Sequence, residues 1–312
     1  MSEENTGKLI SGFWRRIGAL LIDVVLLGFL GSMLGLVFES AFVELGGWGR
    51  VVGFAIALVY FGVMNSRISG GQTVGKRILD LRVIGSDNLP IGTRKSLVRA
   101  AILAIPFSLN GAQFSSNLIF SYLVYPLSLV VLGGIFSIGY LYLFNRLTRQ
   151  SLHDLAVGSY VVNAEAPNQE VGKMWSAHLI VILVLGVLAL LAPLLGNYFV
   201  ERTAFKSMLK AQAAIMSVEG VSYAQMSTNT MILSKINQES TSTDYVNAQI
   251  FLTGKNINDS ELASQFAHLV IANYPEATEK ESLQITLSYG YDIGIWSVWY
   301  HYTHGFDPNA IN

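Results

Sequence analysis

Cysteine is absent from all 312 residues, which excludes disulfides, thiolate metal sites and cysteine nucleophiles. Charge is also scarce: Asp, Glu, Lys and Arg together make up 13% of the chain, about half of the roughly 25% found in soluble domains. With 52% hydrophobic residues and a mean hydropathy of +0.45, such a chain cannot cover a water-facing surface throughout. Lipid must replace water over much of it. No G-x-S-x-G nucleophile motif is present, and the scattered Ser and Thr residues suit strand surfaces and turns. No enzyme activity, cofactor or nucleic-acid partner is expected.

What the chain has in quantity is apolar runs. A helix needs roughly 20 apolar residues to cross a bilayer. Five stretches are read as spans, at approximately 17–38, 50–66, 100–120, 122–144 and 176–198. The second is short, and NGAQFSSN (110–117) dilutes the third. Glu3 and Glu4 precede the first basic residues, and the apolar run behind them is too long for a signal core. The first span is therefore expected to be retained. The 29 glycines read as ordinary membrane-helix glycines, which also allow close helix approach.

Charge divides the chain near residue 200. Residues 1–200 hold 14 Lys+Arg against 10 Asp+Glu, and residues 201–312 hold 6 against 11. If the N-terminus is cytoplasmic, the inside segments 1–16, 67–99 and 145–175 contain 13 of those 14 basic residues, leaving only Arg50 outside. The predicted fold class is an all-α polytopic membrane helix bundle of about five spans plus a C-terminal α+β soluble domain. Domain boundaries follow: a four-span membrane domain at 1–165 with its basic cytoplasmic loop at 67–99, a linker and fifth transmembrane helix at 166–200, and an extracytoplasmic domain at 201–312.

Beyond residue 200 the hydrophobic period changes. A helical stretch carries Phe205, Met208, Leu209 and Ile215, then VSYAQMSTNTMILS and DYVNAQIFL read as strands. Asn258 and Glu261 suggest a capping box for a second helix. Strict alternation over 282–289 and the aromatic run IWSVWYHY indicate two more strands. The order is that of a small sandwich with helices on one sheet face. His301 and His304, three apart on a strand, would point to opposite faces, so no metal site is expected there.

Asp23 stands out because it lies several turns inside the first span. A carboxylate at that depth costs roughly 2.5–3.5 kcal/mol on insertion scales. It is read either as a functional site or as an anchor for interhelical hydrogen bonds. Asn65, Asn110 and Asn117 are the candidate polar groups to face it. In the inside loop, Gly70, Gly75 and Lys76 match most of a phosphate-binding G-x-x-x-x-G-K pattern, but Arg77 stands where a hydroxyl must hold magnesium. That reading is rejected. KRILDLRVIGSDNLPIG reads instead as a short strand, a turn at Ser86–Asn88 and a return strand near the headgroups. Its basic residues would contact anionic lipid.

GFWRRIGALLID, GGQTVGKRILDLRVI and RQSLHDLAVGSYVV, in this order, resemble the RDD family of bacterial membrane proteins over roughly residues 10–165. The resemblance implies an inner-membrane, multi-pass protein. Its signature arginine falls on Arg16, its first aspartate on Asp23 and its second on Asp154, with His153 beside it. It also implies a role in transport, with cation/proton exchange suggested for some members. Asp154 would lie just inside the fourth span, where it could meet Arg16. Two functions stay open. In one, a buried carboxylate drives small-solute or ion transport, with a homo-oligomer enclosing the path. In the other, a non-transporting anchor, scaffold or sensor presents the outer domain to a protein partner, and Arg16, Asp23 and Asp154 form a structural lock.

Overall fold

The computed structural model describes residues 10–114, 121–166, 172–200, 203–233 and 241–311. Helix α1 (Phe13–Leu45) is apolar on nearly every side. Leu21, Val25, Phe29 and Leu36 are exposed on it, whereas Arg16, Ala19, Asp23, Leu27, Gly31 and Gly35 form a buried stripe. That stripe repeats every three to four residues, so it follows one helix face. The helix kinks at Phe38 and stops at Gly46, whose φ of 51° suits a residue without a Cβ. One turn of 3₁₀ helix then leads into α2 (Gly49–Met64).

Among the described residues, three helical stretches are long and apolar enough to cross a membrane: Phe13–Met64, Val124–Phe144 and Ala177–Leu195. These three stretches are fewer than the five or so spans expected. The first and second expected spans form one helical stretch bent at Gly46. At 16 residues α2 is about 24 Å long, short of a roughly 30 Å hydrocarbon core. The third expected span reaches only α4 (Thr93–Leu109), which opens with Arg94, Lys95 and Arg99 and contains Pro106. Its remaining part at 115–120 lies outside the described residues. Helix α5 (Val124–Phe144) contains a π-helical turn at Leu129–Gly133, and α7 (Ala177–Val200) leads into the C-terminal domain.

Four short elements close one end of the bundle: α3 (Val74–Ile78), β1 (Leu81–Gly85), α6 (Leu152–Val157) and β2 (Ser159–Asn163). The expected turn after β1 is present, with Asn88 at φ 59° and the Gly85 amide donating to the Leu89 carbonyl at 2.8 Å. The expected return strand is not. β1 instead pairs antiparallel with β2, Leu81 opposite Asn163 and Gly85 opposite Ser159. Leu81, Val83 and Val161 are apolar positions of this ribbon that need burial, and they pack on Ala19 of α1.

The C-terminal domain runs α8 (Thr203–Met216), β3 (Val221–Leu233), β4 (Thr241–Leu252), α9 (Ser260–Asn273), β5 (Ser282–Asp292) and β6 (Ser297–Phe306). Its sheet order is β3-β4-β5-β6, parallel only between β4 and β5, the pairing that needs a helical crossover. Ala211 and Ile215 of α8 and Phe266 and Val270 of α9 pack with Val246, Ile250, Ile285 and Leu287 in one core. The N-cap of α9 is Asp259, which accepts from the Glu261 and Leu262 amides, and not Asn258 as the capping-box reading had it. His301 contacts Ser288 on the open face, and His304 contacts the Ile257 carbonyl on the other side of the strand. The β5–β6 turn, Ile293 to Trp296, reaches out of the domain and lies against α1 and α2.

Phe266 is fully buried at the centre of the C-terminal core. Phe266→Ala is expected to destabilise that domain by about 3–5 kcal/mol, read as a lower denaturation midpoint of the C-terminal transition with the membrane helices unaffected.

Candidate functional site

Asp23 is fully buried, and its carboxylate meets three donors. The Tyr60 hydroxyl on α2 donates to Oδ1 at 2.7 Å, the Gly75 amide donates to Oδ1 at 2.8 Å, and the Thr73 hydroxyl donates to Oδ2 at 2.6 Å. Local sequence explains how the cradle assembles. Thr73 caps α3 by accepting from the Lys76 amide, and the Val74 amide donates to Tyr60 at 3.2 Å. Gly75 lies so close to α1 that a Cβ there would overlap the carbonyl of Ala19. The glycine-rich loop that mimics a phosphate-binding sequence thus holds the chain's own carboxylate.

Of the asparagines proposed to face Asp23, Asn65 and Asn110 do not do so. Asn65 donates to the Phe61 carbonyl of its own helix, and its Oδ1 is buried with no hydrogen-bond partner. Asn110 offers its carbonyl to Arg50, and Asn117 lies outside the described residues. Tyr60 and Thr73 were missed because a tyrosine in an apolar helix and a threonine in a polar loop are each unremarkable in sequence.

Arg16 is also buried, but it binds no carboxylate directly. Its Nε donates to Ser11 Oγ at 2.7 Å, its Nη2 to the Val161 carbonyl at 2.7 Å, and its Nη1 to the Arg149 carbonyl. It fastens β2 and the turn before α6 to the start of α1. The expected meeting of Asp154 with Arg16 is replaced by an ion pair with Arg99, Nε to Oδ1 at 2.8 Å, both side chains being almost completely buried. Asp154 also accepts from the Ser159 hydroxyl at 2.9 Å and from the Ser151 amide in a capping box at the start of α6. Arg99 had one signal in the sequence: it is the last charge before a run without any charge that lasts to Arg146.

Two titratable groups complete this polar core. Burial would raise the Asp154 carboxyl, but Arg99, then His153 and Arg16, hold it well below the usual carboxylate range. His153 Nε2 lies 3.4 Å from Asp154 Oδ2, and its Nδ1 is buried without a hydrogen-bond partner. Desolvation lowers its pKa to about 3, against the pull of Asp154. Lys76 is half-buried, yet desolvation of its ammonium and repulsion by Arg99 lower it to about 7, opposed by Asp23 and Asp154. Among the described residues no group of three or more His, Cys, Asp or Glu side chains could hold a metal ion.

A bundle of apolar helices closed at one end by buried ionic and hydrogen-bonded joints defines a helical membrane module. Residues 10–158, just under half of the chain, match the family model described as the RDD family, and the C-terminal domain lies beyond the match. No curated protein and no solved structure matches the chain.

Between about pH 7 and the ordinary lysine value of 10.5, the unfolded chain holds a proton on Lys76 that the folded protein does not. Stability is therefore expected to rise with pH across that window. The slope should shrink in Lys76→Met, measured as the thermal midpoint in detergent at pH 7, 8 and 9. Gly75→Ala must push α3 off α1, and the same measurement should show a loss on the order of 2 kcal/mol or more.

Proposed function

We propose that this protein is a non-enzymatic membrane anchor of the scaffold or sensor type, in which the RDD residues lock the bundle and the C-terminal domain binds a protein partner. The observation that carries this reading is the closure of the Asp23 carboxylate by three donors from α2, the 66–75 loop and α3. A coupling carboxylate in an ion-driven transporter must exchange its proton or cation with a path. Releasing Asp23 would require all three donors to move together.

The reading places the polar core in the cytoplasm of a bacterial cell, at the inner membrane, and the C-terminal domain on the far side. Its support is the concentration of basic residues at the polar-core end, including Arg15, Arg67, Arg77, Arg94 and Arg146, against Arg50 alone, of the first 200 residues, at the other. On this reading α2 and α4 also cross, as short helices held by their neighbours, which makes five crossings. The basic surface at the polar-core end rests on anionic headgroups.

Ion-coupled transport is the second reading, favoured by one observation: Lys76, lowered to about 7, lies within electrostatic reach of both Asp23 and Asp154. Flux in proteoliposomes across proton, sodium and potassium gradients separates the two. The anchor reading expects no flux above empty vesicles. Asp23→Asn would turn an amide group towards at least one donor, costing about 1–3 kcal/mol per unsatisfied group. Its expected phenotype is therefore a lower thermal midpoint. Gradient-dependent flux that vanishes in a folded Asp23→Asn variant would establish transport and overturn the anchor reading.

A further inference from the structure

The tip of the β5–β6 hairpin sits in a cleft between α1 and α2 whose walls are glycine. On α1, a Cβ added to Gly31 would lie 2.7 Å from Trp296 Cβ, and one on Gly35 would overlap the Tyr291 hydroxyl. On α2, a Cβ on Gly49 would lie 2.7 Å from the Asp292 carbonyl oxygen, and one on Gly53 would overlap that of Ile293. Ile293 is fully buried there and packs with Phe42 and Val43 of α1. Polar joints surround the tip. Asp292 pairs with Arg50 at 2.8 Å, and Arg50 also donates to the Ser108 carbonyl of α4 at 3.0 Å. Tyr289 donates to Glu39 at 3.0 Å, and Lys255 pairs with Glu39 at 3.2 Å. Arg50, the one basic residue of the first 200 to break the charge asymmetry, is what fastens the hairpin.

The cleft lies on the same buried stripe of α1 as Asp23. Gly31 follows Asp23 by eight residues, about 12 Å along the axis, with Leu27 between them on that face. Direct packing of α1 on α2 is sparse. The two helices are joined at one level by the hairpin and at another by the Tyr60–Asp23 hydrogen bond. A wedge at one level of such a pair sets the separation at the other.

We infer that the β5–β6 hairpin is a detachable wedge that sets the α1–α2 spacing and so holds the Asp23 cradle closed. The C-terminal domain can part from the cleft without unfolding. Tyr289, Tyr291 and Ile293 belong to a cluster shared with α1, and the domain's own core contains none of them. The joints that hold the tip are partly exposed: Arg50 and Asp292 keep 22% and 28% of their side-chain surface, and Lys255 and Glu39 keep 71% and 42%. Interfaces of this kind permit relative domain motion. The element with two arrangements is the α1–α2 pair, biased by the hairpin at one end and by Asp23 at the other. The inference deepens the sensor reading by naming how the C-terminal domain would signal to the polar core. The coupling itself depends on neither a partner nor a transported ion.

Amide hydrogen exchange on the full-length protein in lipid nanodiscs tests the wedge. Asp292→Ala removes the ion pair, and Gly53→Leu fills the cleft from the opposite wall. In each variant, exchange is expected to rise tenfold or more at the hairpin tip, 293–296, and also at 70–79, where the Gly75 amide binds Asp23, while α9 and the β5–β6 ladder stay as protected as in the native protein. Faster exchange at 293–296 with no change at 70–79 would overturn the coupling. So would a tip that stays protected in both variants, since it would then not be detachable. Either of these failures would leave the anchor reading standing, and ion flux in proteoliposomes would overturn that reading while leaving the wedge intact.

Discussion

A carboxylate placed inside a membrane helix has to find hydrogen-bond donors, because the lipid around it offers none. At Asp23 the donors come from outside its own helix: Tyr60 from α2, and Thr73 with the Gly75 amide from the loop and α3. That requirement folds the 66–79 segment back against α1. Gly71 is drawn in with it, at φ 76° with its amide bonded to the Ser66 carbonyl and its carbonyl to the Val83 amide, which fixes where β1 begins. β1 then positions β2, and Arg16 pins β2 to the first turn of α1 through the Val161 carbonyl. The small ribbon, the loop and two membrane helices thus depend on one acid.

Arg16, Asp23 and Asp154 do not form a mutual triad. Arg16 spends its donors on a hydroxyl and two backbone carbonyls, so it works as a crosslink between chain segments. A planar guanidinium with five donors suits that task better than a lysine would. Asp154 caps α6 and neutralises Arg99 from the adjoining helix. Each residue therefore secures a different joint of the bundle. Breaking a buried pair such as Arg99–Asp154 by removing one partner leaves a stranded charge, which is costly by about 3–5 kcal/mol. Loss of activity on substituting either residue would thus not by itself identify a transport site.

Much of this was legible in the chain and some was not, for reasons that differ by element. The helix–strand order of the C-terminal domain followed from period changes alone, since its sheet is apolar on one face and polar on the other. The position of Asp23 was legible because charge is rare in an apolar run. Its partners were not, because a cradle assembled from a tyrosine hydroxyl, a threonine and a backbone amide leaves no pattern in composition. The partner of β1 was misplaced for a related reason. A local hairpin is the default for a strand followed by a turn, yet Leu81–Gly85 pairs with Ser159–Asn163 across three intervening helices. Arg99 was counted as one of many positive charges that orient loops, and its burial against Asp154 sets it apart from Arg94 and Lys95.

The glycines show most clearly how the same residue type carries different meanings. Read as a group they signal membrane helices in general. In place, Gly31, Gly35, Gly49 and Gly53 are the positions where a strand turn from the C-terminal domain approaches two helices closer than any side chain would permit. A lipid-facing helix has no need of that spacing, and an interface between two long apolar helices would have brought α1 and α2 together instead. The glycine-lined cleft has its counterpart more than three turns back along α1 in Ala19 and Gly75, where α3 approaches equally closely. One face of a single helix thus receives the C-terminal domain at one end and the polar core at the other. That arrangement makes α1, with α2 beside it, a direct physical route between the two parts of the chain.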